Sequence, residues 1–102
     1  MADLQQLFQL GQQVQGRLQQ LQSELSERLI ETSTGAGLVR AAVDGRGMVR
    51  TLAIAPEAFA GRDAELLSDL VLSAIAEGQR RAAELATDEM RKVQPAPGFP
   101  SP

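Results

Sequence analysis

The side chains in this sequence that could act on a ligand are its arginines and two close acidic pairs. Asp63 with Glu65, and Asp88 with Glu89, have the residue types of a general acid and base. The chain has no His to serve as a base near neutral pH. It has no Cys either, which excludes disulfides, thiol nucleophiles and thiolate zinc sites. Helix capping and solvated charge account for both acidic pairs. No catalytic residue, metal ligand, cofactor or small-molecule substrate is therefore expected.

The stretch STGAGLVRAAVDGRG, residues 33–47, is the next candidate. A phosphate-cradling loop needs glycine backbone that leads directly into a helix amino terminus. Here Gly37 leads into LVRAAV, a strand by composition, and the only lysine is the distant Lys92. Gly35 and Gly37 read instead as turn residues with positive φ.

The basic residues are more informative. Arg80 and Arg81 are adjacent on a predicted helix, with Arg91 and Lys92 three turns later. Arg17 is the only basic residue in a Gln-rich first helix, and Arg28 follows that helix. Arg40, Arg46 and Arg50 fall on predicted strands or their turns. Two readings stand side by side. One is a solvated face with i,i+4 pairs, Arg80 with Glu84 and Arg81 with Glu77. The other places guanidinium forks on phosphates. The formal charge of −3 argues against a purely electrostatic polyanion binder unless the arginines are clustered. With no Trp or Tyr, stacking on bases is not expected.

These residues are positioned by an ordered set of elements. Leu4, Leu7, Gly11, Val14, Leu18, Leu21 and Leu25 form a heptad stripe, and nine of the first 22 residues are Gln, a good helix former. This predicts a helix over about residues 3–26 whose narrow apolar seam needs a partner helix. Period-2 patterns then predict strands over about 27–34, 37–44 and 48–55, an antiparallel meander. Ile30, Thr32 and Thr34 share one face, as do Val39, Ala41 and Val43, and then Met48, Arg50, Leu52 and Ile54. Pro56 ends the third strand. A second helix is predicted over about 63–93, with Asp63 as N-cap. Its apolar face includes Val71, and the small residues Ala74, Gly78 and Ala82 permit close approach of another backbone. Residues 1–93 form one domain, and 94–102, with four prolines in nine residues, read as an extended, mobile tail. The amino terminus has neither a basic n-region nor a long apolar run, so a soluble cytoplasmic protein is expected.

QLGQQVQGRLQQLQSEL, GAGLVRAAVDGRGMVRTLAIAPE, DAELLSDLVLSAIAEGQRRAAELATDEM and the terminal PAPGF together resemble the YbaB/EbfC family of small bacterial nucleoid-associated proteins. The resemblance runs from about residue 4 to residue 100. It implies an α+β, α-β-β-β-α protomer with a three-stranded antiparallel sheet. It further implies an intertwined homodimer whose long helices protrude like tweezer arms, and binding of double-stranded DNA in the nucleoid with a role in gene regulation. Carried onto this chain, the DNA contacts fall on Arg17, Arg80, Arg81, Arg91 and Lys92, with Arg28 and Arg46 as further candidates. Leu7, Val14, Leu18, Leu21, Leu25, Val71, Ala74, Gly78 and Ala82 are the expected dimer or helix-packing positions. Arg17 stands where relatives often have lysine, and Arg40 and Arg50 where they often have basic residues. Gln9 and Gln20 stand where some relatives carry lysine, and Ala55 where Asp commonly precedes the Pro. An adaptor that docks a partner helix on its heptad seam, associated with DNA only indirectly, is the alternative.

Overall fold

The computed structural model describes residues 3–93, and the expected tail at 94–102 lies outside the described residues. The elements are α1 (Leu4–Glu27), β1 (Leu29–Thr34), β2 (Val39–Asp44), β3 (Val49–Ile54), a short 3₁₀ turn (Pro56–Phe59) and α2 (Ala64–Val93). The strands pair antiparallel in the order β1-β2-β3, so the expected α-β-β-β-α architecture is present.

Local chemistry sets the boundaries. Asp3 caps α1, its carboxylate accepting from the Gln5 N–H at 3.2 Å. The helix continues to Glu27, and the Arg28 N–H closes it on the Leu25 carbonyl at 3.1 Å, so β1 starts later than composition suggests. Between β1 and β2 the backbone turns through three residues of positive φ, Gly35 (62°), Ala36 (56°) and Gly37 (90°). The Gly37 N–H reaches the Thr34 carbonyl at 3.2 Å, and β2 consequently begins only at Val39. Ala55 precedes the 3₁₀ turn without a side-chain cap.

Helix α2 covers one face of the sheet. Thr32 and Thr34 donate their hydroxyls to the Ala74 and Leu70 carbonyls at 2.6 and 2.7 Å, which fixes the helix along β1. Val39, Ala41 and Ala74 form the centre of the core, with Ile54, Leu67, Leu70, Val71 and Ile75 packed around them. Gly78 is buried against β2, where a Cβ would stand 2.9 Å from Val43 Cγ2. The pattern in β3 departs from expectation. Val43 pairs with Val49 and Ala42 with Thr51, so Arg50 is the extra residue of a β-bulge. The bulge, together with a strand start at Val49, breaks the unbroken alternation expected through Met48, Arg50, Leu52 and Ile54.

Helix α1 joins this layer only near its carboxyl end. Leu21 and Leu25 are buried, and Val14 and Leu18 are half-buried, whereas Leu4, Leu7, Phe8 and Leu10 are exposed. At the junction the Gly45 N–H donates to the Leu25 carbonyl at 2.8 Å, and a Cβ on Gly45 would lie 2.6 Å from that oxygen. The molecule is elongated, 71 × 31 × 16 Å.

Candidate nucleic-acid interface

The turn between β2 and β3 is built around one carboxylate. Asp44 is 2% exposed, and its Oδ1 accepts from the Arg46 and Met48 N–H groups at 2.9 and 3.0 Å. Its Oδ2 accepts from Arg50 Nη1 at 3.3 Å. Burial pushes this carboxyl up, but the two backbone donors and the Arg50 guanidinium outweigh burial and hold it below the usual carboxylate value. Gly47, at φ 87°, completes the turn. Arg50 is thereby tied back to Asp44, while Arg46 stands exposed at the tip.

Arg28 shares that end of the sheet, because Leu29, the residue after it, is the register partner of Asp44. Arg46 also rims a groove between the helices with Leu18, Leu21 and Leu25 of α1 and Ala82 and Ala86 of α2. Gln79 crosses from α2 to the same turn, donating to the Gly47 carbonyl at 3.0 Å. Arg17 sits about two turns up α1 from Leu25, next to the groove residue Leu18. Arg17, Arg28 and Arg46 are all exposed, and none forms an ion pair with a described acidic side chain.

The basic residues of α2 are in a different state. Glu77 accepts from Arg80 Nη2 at 2.7 Å and Nε at 3.0 Å, and from Arg81 Nε at 3.0 Å. Arg80 also pairs with Glu84. Arg91 lies 3.7 Å from Asp88 and Lys92 lies 3.0 Å from Glu89. Each α2 cation thus has a carboxylate on its own helix, so the i,i+4 pairs of the solvated-face reading do form. The hydrogen bond from Arg80, opposed by desolvation and reinforced by Arg81, holds the Glu77 carboxyl down to about 2. Hydrogen bonding and charge from Glu77, then charge from Glu84, raise the Arg80 guanidinium above its ordinary value.

The acidic pairs have other partners. Asp63 caps α2 through the Leu66 N–H at 3.0 Å, while Asp88 and Glu89 hold the ion pairs just described. Among the described residues there is no His, Cys, Asp and Glu grouping able to hold a metal ion. No described helix is long and apolar enough to cross a membrane. Two features were missed in the sequence. Glu77 bridges two arginines because Arg80 reaches it at i+3 as well as Arg81 at i+4, and only the i+4 contact was anticipated. Arg62, exposed with φ 51° before α2, carries no sequence signal beyond its charge.

Fold and surface define a small α+β protein whose chemistry is guanidinium groups presented on an extended, open surface. A sequence model of the YbaB/EbfC DNA-binding family matches residues 1–97, and the chain belongs to that family. It is 38% identical over 96 residues to a nucleoid-associated protein of Saccharopolyspora erythraea, covering 94% of this chain and 83% of that protein. It is 45% identical over 84 residues to a nucleoid-associated protein of Cutibacterium acnes, covering 80% and 78%. The crystal structure of an uncharacterized Helicobacter pylori protein has the same fold, with a TM-score of 0.85 at 20% identity over 93% of this chain and 100% of that one. The family is a DNA-binding one and not an enzyme family.

Proposed function

We propose that this protein binds double-stranded DNA as a homodimer, through guanidinium–phosphate contacts, and acts in the nucleoid on DNA organisation and gene expression. The observation that carries this reading is the set Arg17, Arg28 and Arg46. They are exposed and free of ion pairs to described carboxylates, Arg28 and Arg46 where α1 meets one end of the sheet and Arg17 about two turns further up α1, in a chain of a DNA-binding family. An unpaired guanidinium meets phosphate without first giving up another anion. Arg80, Arg81, Arg91 and Lys92 also serve as contacts, but each must exchange a carboxylate for a phosphate. The exposed end of the heptad seam, with Leu4 and Leu7, supports association with a second copy.

The test is a gel-shift titration at two salt concentrations with wild type, Arg28→Ala/Arg46→Ala and Arg80→Ala/Arg81→Ala. Both variants bind more weakly than wild type, and the Arg28/Arg46 pair loses more. Affinity unchanged in both variants contradicts the assignment. The same exposed end of α1 favours the adaptor as second reading, and wild type that shifts no duplex even at low salt would select it.

A further inference from the structure

We infer that Glu77 sets the strength of DNA binding, by holding Arg80 and Arg81 in competition with phosphate. The inference rests on the DNA-binding reading and adds a residue of opposite sign to it. One carboxylate takes both guanidiniums, accepting two hydrogen bonds from Arg80 and one from Arg81. Glu84 occupies the remaining face of Arg80. The three side chains Glu77, Arg80 and Arg81 are 38%, 55% and 51% exposed, so phosphate can reach the arginines but finds Arg80 Nε, Nη1 and Nη2 and Arg81 Nε already engaged.

Exchange of Glu77 for phosphate is an equilibrium between two anions for the same fork of donors. The carboxylate is covalently tethered one helical turn away, which gives it a high effective concentration. Two further facts point the same way. Glu77 lies on α2 beside Gly78 and Gln79, where the helix is pinned to β2 and to the Gly47 carbonyl, so the helical spacing of Glu77 from its arginines is held in place. Glu77 also faces both arginines at once, so its removal frees Arg81 and leaves Arg80 with Glu84 alone. In contrast, Arg91 and Lys92 each answer to a separate acid, Asp88 and Glu89.

The test is a fluorescence-anisotropy titration of a labelled duplex at several salt concentrations with wild type, Glu77→Gln, Glu84→Gln and Glu57→Gln. Glu57 makes the same change of formal charge on the 3₁₀ turn and has no ion pair with a described base. Glu77→Gln is expected to bind roughly three- to fivefold tighter than wild type, the scale of a surface ion pair. Its slope of log affinity against log salt is steeper by about one for each guanidinium that reaches a phosphate. Glu84→Gln moves affinity the same way by less, and Glu57→Gln moves it less than either. Equal or weaker binding by Glu77→Gln, or a gain no larger than that of Glu57→Gln, overturns the role of Glu77 while wild-type binding leaves the DNA reading intact. Failure of wild type and Glu77→Gln alike to bind duplex overturns both.

Discussion

Protonation of Asp44 would remove the negative charge that two backbone N–H groups and the Arg50 guanidinium hold, at a site almost closed to water. The folded-state value lies below the ordinary 3.8, so the stabilisation is complete above 3.8 and is lost as pH falls through the lower folded value. Glu77 adds to the same trend between 4.5 and about 2. Thermal melts should therefore show a Tm that is flat near neutral pH and falls only under acid conditions. Asp44→Asn should melt lower than wild type at neutral pH and lose less on acidification. An unchanged neutral Tm for the variant would remove Asp44 as the organiser of the turn. At this scale the sequence was partly legible. Residue types marked the arginines, and spacing marked Arg81 with Glu77. The capture of Arg50 was not legible because Arg50 is the extra residue of a bulge, and the burial of Asp44 was not legible because it depends on packing across space.

Helices and strands were easier to read than their joints. The heptad of α1 and the alternation of Val39, Ala41 and Val43 are written in the residues themselves, although only the carboxyl end of that heptad is buried and Ala42 and Asp44 are buried on the opposite face of β2. Joints depend on what the chain meets across space. Ala36 takes a left-handed conformation between two glycines because the β1–β2 turn demands it, although Ala has no preference for that region. Glycines illustrate the difference well. Gly16 lies in α1 with no heavy atom within 4 Å of an added Cβ, whereas Gly78 lies against the stiff, fully buried Val43. Gly16→Ala should stabilise the fold by up to about 1 kcal/mol from helix propensity. Gly78→Ala should destabilise it by about 1 kcal/mol net, because overpacking exceeds the same propensity gain. Urea unfolding of the two variants measures both, and a stabilised Gly78→Ala would mean that α2 can lift from β2 at little cost.

The whole molecule is stretched beyond what its own core accounts for. Its radius of gyration is 20.2 Å, against about 13 Å for a compact chain of this length. Leu4 and Phe8, 81% and 70% exposed near the free end of α1, carry apolar surface that the protomer does not cover. The proposed dimer answers this geometry and doubles the arginines offered to one duplex. Arg17, Arg28 and Arg46, three of the five arginines without an ion pair to a described acid (Arg40 and Arg62 are the others), give six in the pair. The most direct test is therefore the salt dependence of wild-type affinity for a labelled duplex, read beside the molar mass of the free protein in solution. A dimer is expected, with log affinity falling linearly against log salt at a slope of about −5 from these six arginines at 0.9 each, steeper by about 0.9 for every Arg80, Arg81, Arg91 or Lys92 that exchanges its carboxylate for a phosphate. A slope near zero, or no binding at low salt, would contradict arginine–phosphate recognition as the basis of this protein's function.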